Sequence, residues 1–205
     1  MPGRLFLERP LADVAAAMST DLNGIHEPPR RNIAPGEEIV VCTADRQLMQ
    51  MRWGVIPVGR VNARGRPVME TIINARSETV FEKSAFEGVK RAIVPCDGWY
   101  EWTGEKRKKQ PWRIRRADEH LIYFAAISDI WNAPGGLENN QVAAVTCEPS
   151  GDVRDIHHRM GVILEPSQFD IWLNGDDDAA KALALPYPDG RLSVEKADDV
   201  DFNAA

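Results

Sequence analysis

"RAIVPCDGWYEW" (Arg91–Trp102), followed by the polar run "TGEKRKKQ" (Thr103–Gln110) and by "PWRIRR" (Pro111–Arg116), decides the fold. An apolar run, a polar turn and a second alternating run are what a β-hairpin requires, so antiparallel sheet is expected here. In an extended chain successive side chains alternate between faces. Asp97, Trp99 and Glu101 then share one face, and Gly98, Tyr100 and Trp102 the other. A carboxylate beside a large aromatic loses hydration and keeps its proton to higher pH, which suits a general acid. An edge strand with one solvated glutamate between core aromatics explains the same residues. Both readings stand on this segment alone.

Working outward, "EEIVVC" (Glu37–Cys42) and "QLMQMRWGVIP" (Gln47–Pro57) predict strands. "LIYFAAISDIW" (Leu121–Trp131) and "QVAAVTC" (Gln141–Cys147) are continuous apolar runs and predict buried strands. "RLSVEK" (Arg191–Lys196) reads as an edge strand. Three helices are expected: "PLADVAAAMS" (Pro10–Ser19) and "PSQFDIWLN" (Pro166–Asn174), each opening on Pro, and "ETVFEKSAFEGV" (Glu78–Val89), with Phe81, Ala85 and Val89 at helical spacing. "PPRRNIAPG" (Pro28–Gly36) reads as a Pro/Gly-punctuated loop. With no repeat and no linker, the sum is one α+β domain over 1–205 with a largely antiparallel sheet, acidic from about residue 176.

The 205 residues suffice for a sizeable core, and 43% apolar content is globular rather than disordered. No apolar run approaches the length that spans a bilayer, and no leader of the secretory kind opens the chain. The expectation is a cytoplasmic monomer without a membrane helix. Cys42, Cys96 and Cys147 are too scattered for a disulfide framework or a metal knuckle. Each flanks an apolar run and reads as a core thiol. The net charge of −6 is unevenly spread. Residues 1–116 carry 20 Lys and Arg against 14 Asp and Glu, and residues 117–205 carry 5 against 17. That asymmetry fits a polyanion-binding face on an acidic body, and equally a solvated basic hairpin with an acidic tail.

Two further stretches hold chemistry. "INARSE" (Ile73–Glu78) places Asn74 and Arg76 two apart, on one face if extended. Asn orients an amine or hydroxyl, and the Arg fork matches a phosphate; a turn Asn with a surface Arg is the plainer account. "DIHHRMG" (Asp155–Gly161) holds two of the four histidines. If extended, Asp155, His157 and Arg159 line one face, an imidazole beside a phosphate-binding fork. A metal pair at His157 and His158 is disfavoured, because neighbours in an extended chain point apart and no Cys or carboxylate cluster completes the set. His26 and His120 read as surface residues.

"GR" at Gly3–Arg4, "RNIAPG", "RWGVIP", "INARSE", "VPCDGWYEW", "KQPW" and "DIHHRM", in this order, resemble the SOS-response-associated peptidase (SRAP) family from Gly3 to about Leu164. The resemblance implies a single domain of β-barrel-like sheet with flanking helices. It implies binding of single-stranded DNA at abasic sites and covalent linkage to the sugar aldehyde through residue 2, exposed once Met1 is removed. Asn74 matches the residue holding the N-terminal group, Glu101 the acid/base that opens the deoxyribose ring, and His157 the histidine beside the sugar. Arg4, Pro35, Trp53, Arg76, Thr146 and Arg159 match positions that grip the strand: arginines for phosphates, an aromatic for stacking. No metal or other cofactor is implied.

Two positions depart from the family. Residue 2 is Pro rather than Cys, and Gly161 stands where Pro is usual. Cysteine closes a thiazolidine, its amine condensing with the aldehyde and its thiol adding to the imine; Pro2 has no thiol and cannot. Freed of Met1, Pro2 is a secondary amine, partly neutral at pH 7. It can form an iminium with the aldehyde that reverts or drains into β-elimination, a lyase outcome. With Met1 retained, the Pro2 nitrogen is a tertiary amide, and the chain is a non-covalent relative or a variant whose nucleophile has been exchanged. The thiol autopeptidase of the family name also needs residue 2. Gly161 is expected to loosen a loop.

Overall fold

The computed structural model describes residues 2–57, 71–105, 108–132 and 136–202. Met1, and residues 106 and 107 of the expected hairpin loop, lie outside them. In chain order the described strands are β1 (Arg4–Leu7), β2 (Arg30–Ile33), β3 (Glu38–Cys42), β4 (Leu48–Trp53), β5 (Asn74–Arg76), β6 (Lys90–Cys96), β7 (Gly98–Thr103), β8 (Gln110–Arg116), β9 (Ile122–Asn132), β10 (Glu138–Cys147), β11 (Met160–Gly161) and β12 (Leu192–Lys196). The α-helices among the described residues are α1 (Leu11–Met18), α2 (Phe169–Asn174) and α3 (Asp177–Ala182).

Strands β10, β4, β3, β6 and β9 close on themselves, since β9 also pairs with β10. This five-stranded barrel is antiparallel except where β10 runs parallel to β4, at Gln141↔Arg52 and Val142↔Trp53. The apolar runs of β9 and β10 line its interior and are covered outside as well: Ile122–Ile127 and Val142–Val145 are all buried. On one outer flank α2 sets Trp172 against β6, its indole N–H donating to the Ala92 carbonyl at 2.8 Å. Helix α1 buries Leu11, Val14, Ala15 and Met18, one face at i, i+3, i+4 and i+7, and stops at Ser19 in the left-handed region (φ 52°).

The expected hairpin forms only in its second half. "RAIVPCDGWYEW" divides at Asp97: β6 belongs to the barrel, while β7 pairs with β8 in a second sheet of order β12-β8-β7-β1-β2. Asp97 fixes the crossing. Its carboxylate accepts the backbone N–H groups of Glu8 (2.6 Å) and Arg9 (3.0 Å) and the Arg9 side chain (2.5 Å), and its own N–H donates to the Phe6 carbonyl at 2.9 Å. Gly98 follows because the Phe6 ring and the Ile114 carbonyl occupy the space a Cβ needs.

Other expectations are corrected. Residues 78–89 form turns and one 3-10 turn at Ser84–Phe86. Val80 and Phe86 are both buried there; six residues apart, they fall on different sides of an α-helix, so helix would expose one of them. The stretch 28–36 contains edge strand β2 rather than loop alone. The helix expected at 166–174 opens with a 3-10 turn, Pro166–Gln168, before α2. Gly161 is no loosened loop: it is buried in β11 opposite Thr146, and a Cβ there runs into the Phe124 ring. The acidic end is not a free tail: the edge strand expected at 191–196 forms as β12, paired over its whole length with β8 from Leu192↔Arg116 to Lys196↔Trp112.

Candidate active site

The site sits where β10 outlasts its barrel partners. Beyond Val142 its β4 side passes to β5, parallel at Ala144↔Asn74, Val145↔Ala75 and Thr146↔Arg76; its other side passes to β11 at Thr146↔Gly161 and Cys147↔Met160. Alternation on β5 buries Ala75 inward and turns Asn74 and Arg76 the other way, with Arg76 exposed.

The chain's first residues lie in this opening. Strand β1 runs antiparallel to β7 with Arg4↔Tyr100, Leu5↔Trp99 and Phe6↔Gly98; continuing the register one step sets Gly3 beside Glu101. Pro2 is buried, and its carbonyl oxygen accepts from Asn74 Nδ2 at 2.9 Å. Glu101, on β7, is 3% exposed. Burial pushes its carboxyl up to about 7, against a smaller opposing pull from the positive charge of the amino terminus. Trp99, on the same face, packs edge-on to Phe124 in the main core at 5.4 Å, and Tyr100 faces away toward Phe6. The alternation expected for 98–102 is what the strand adopts.

His157 arrives from the other side. The segment before β11 is a turn rather than a strand, with the His157 N–H donating to the Val153 carbonyl at 2.9 Å. Asp155, His157 and Arg159 therefore do not line one face: Asp155 is exposed, His157 half-buried and Arg159 buried. The turn also stacks His157 on His158, ring centroids 4.4 Å apart, where an extended chain would have pointed them apart. His157 Nδ1 lies 3.1 Å from the Arg159 carbonyl and 3.0 Å from the Arg159 N–H; with its proton on Nδ1, donated to that carbonyl, the neutral ring carries its acceptor lone pair on Nε2. Burial, aided by the amino-terminal charge, lowers the imidazole to about 4. At neutral pH the opening thus holds a carboxyl near its midpoint and an uncharged imidazole. No group of three or more His, Cys, Asp and Glu among the described residues is placed to hold a metal ion. All three thiols are buried, with Cys42 pushed up to about 11 and Cys147 to about 12 by burial.

The residues matched to strand-gripping positions divide in two. Arg76 is exposed, Arg4 and Pro35 half-buried. Trp53 is 1% exposed and donates its indole N–H to the Ile73 carbonyl at 3.0 Å, so in this conformation it is a core residue with no face for stacking. Thr146 is fully buried, its hydroxyl donating to the Ala75 carbonyl at 3.1 Å. The Arg159 fork grasps Glu78 at 2.5 and 2.9 Å and the Thr146 carbonyl at 2.5 Å. It ties β10 to the segment after β5 and fixes the backbone that holds His157. Glu78 is the residue sequence reasoning missed; its carboxyl is held below the usual range first by that Arg159 hydrogen bond. Its signal lay within "INARSE", two places beyond Arg76.

This barrel, with a second sheet delivering residue 2 to its open end, defines a class. The chain is similar to a protein of Bordetella bronchiseptica of known crystal structure, with a TM-score of 0.81, 23% identity and coverage of 95% of this chain and 99% of that one. Residues 1–200 match the family model for SOS response associated peptidase (SRAP), and the chain belongs to that family. It is also similar to two proteins of Bacillus subtilis (strain 168). Over 169 residues it is 36% identical to abasic site processing protein YobE, covering 78% of this chain and 76% of YobE. It is 35% identical to abasic site processing protein YoqW, covering 78% and 74%. No helix among the described residues is long and apolar enough to cross a membrane.

Proposed function

We propose that this chain processes abasic sites, binding single-stranded DNA and, once Met1 is removed, engaging the ring-opened deoxyribose through the Pro2 amine. The reading is supported above all by one observation: residue 2 is buried with its carbonyl held by Asn74, on the strand that runs beside Glu101. A flexible start would lose several backbone and side-chain degrees of freedom on each encounter; a seated one has lost them already.

The chemistry follows from the two titrating groups. The secondary amine adds its lone pair to the C1′ aldehyde carbon, and the carbonyl oxygen takes a proton, giving a carbinolamine. Glu101, protonated below about pH 7, supplies the proton with which the hydroxyl leaves as water, and an iminium remains. The neutral His157 ring is suited to accept the C2′ proton. Loss of that proton expels the 3′ phosphate, and water on the iminium then releases the sugar and restores the amine. Without a thiol at residue 2 the iminium has no internal trap, so the adduct is transient. Exposed Arg76 and the half-buried Arg4 supply phosphate contacts that do not depend on sequence.

Sodium borohydride added to a mixture of protein and abasic single strand tests this. A protein–DNA band that survives denaturation is expected, together with strand scission in its absence. Binding without either product favours the non-covalent relative, and intact mass of the protein then shows whether Met1 blocks the nitrogen.

A further inference from the structure

The outer face of the second sheet is covered by the chain itself. After β12, Ala197 is fully buried and its N–H donates to the Pro111 carbonyl at 3.1 Å. The next five residues, Asp198–Phe202, cross from β8 toward β1 and β2. Both Asp199 oxygens accept from Arg113 Nη2 at 3.0 Å, and Oδ2 also accepts from Arg31 Nη2 at 2.6 Å. Asn32 donates to the Asp201 carbonyl and Arg4 to the Phe202 carbonyl, each at 3.4 Å. The Phe202 ring meets Tyr100 and Trp102 edge-on at 4.9 and 5.0 Å.

An anion shared by two guanidinium groups, followed by a planar ring lodged against aromatics, satisfies the chemical demands of a phosphate and its base. We propose that Asp198–Phe202 is an internal nucleotide mimic that covers one end of the single-strand path and is displaced when DNA binds. This rests on the single-strand reading above, and it adds regulation to that site. One residue joins the segment to it: Arg4, offered there as a phosphate contact, donates to the Phe202 carbonyl. The segment is built to be released. The Asp199 side chain is 52% exposed, and ion pairs open to water contribute little each. The buried Ala197 supplies a fixed point from which the five residues can swing.

The test compares the full chain with its Asp199→Asn and Phe202→Ala variants, singly and together, in anisotropy titrations of a fluorescent single strand carrying a tetrahydrofuran abasic analogue. Unchanged melting temperatures establish that each variant folds. The double variant is expected to bind about three- to tenfold more tightly, the scale of one exposed ion pair, one half-covered ion pair and a ring contact. Its affinity should also fall more steeply with salt, because Arg31 and Arg113 then exchange small counterions rather than Asp199 for phosphate. Equal affinities and equal salt slopes overturn the mimic while leaving the single-strand reading intact. Absence of binding by every form overturns both.

Discussion

Asn74 Nδ2 lies 2.9 Å from the carbonyl oxygen of Pro2, joining the start of the chain to a three-residue strand 72 positions away. Strand β5 exists in the register needed for this contact because β10 takes it as a partner where β4 ends. Replacing Asn74 by Ala removes one neutral hydrogen bond, worth about 1 kcal/mol. The expected result is about a fivefold to tenfold slower rate of borohydride trapping with a melting temperature changed by only a few degrees. Stopped-time trapping assays beside thermal melts check it.

Glu101 ties stability to pH. Its folded-state carboxyl, raised by burial to about 7 from an ordinary 4.5, binds its proton more tightly than in the unfolded chain. That contribution is present in full below pH 4.5 and is lost as pH rises to about 7; the full shift amounts to about 3 kcal/mol. Glu101→Gln is therefore expected to be more stable than the parent at pH 8, with the difference narrowing toward pH 5. His157 works in the opposite sense, its stabilisation present above pH 6.5 and lost as pH falls toward about 4. Urea unfolding of both forms between pH 4 and 8 separates the two.

The same groups set the pH dependence of scission. Glu101 donates only below about 7 and His157 accepts only above about 4. Scission measured from the free abasic strand, which needs both iminium formation and elimination, is expected to be bell-shaped between those limits. Glu101→Gln should remove the alkaline limb and slow the step by about 100-fold or more, the usual loss of a general acid. Single-turnover scission across this range gives the profile.

Arg76 and Arg159 should behave oppositely. Arg76 is exposed, so Arg76→Ala is expected to weaken single-strand binding whatever the base sequence, reduce the salt slope by about one, and leave stability within about 0.5 kcal/mol. Arg159 is buried with Glu78 and the Thr146 carbonyl on its fork. Arg159→Ala is expected to cost about 2–4 kcal/mol, because the buried Thr146 carbonyl loses a donor and a cavity remains. Titrations and urea unfolding of the two variants settle the contrast.

Much of the barrel was legible because its strands are buried on both faces and so read as unbroken apolar runs; "LIYFAAIS" and "QVAAVT" are examples. The strands that build the site were not. β5 and β11 have three and two residues, too few to show a period, and owe their form to β10. β2 lies in a stretch whose prolines and glycine signal turns. Nothing local in "PCDG" discloses a change of sheet, because the cause is Asp97 capping the backbone after β1, 88 residues earlier. Asn74 and Glu101 could be picked out by residue type and alternation. The inward turn of Arg159 could not, since Glu78 and Thr146 are remote from it in sequence, and Trp53 looks the same in sequence whether it stacks on a base or fills a core.

The position of the covalent bond tests the central claim most directly. After borohydride reduction on an abasic single strand and nuclease digestion, peptide mass spectrometry locates the sugar remnant. The account expects it on the nitrogen of Pro2, in chains from which Met1 is absent. A remnant on a lysine side chain, or none on Met1-free protein that binds the strand, contradicts it.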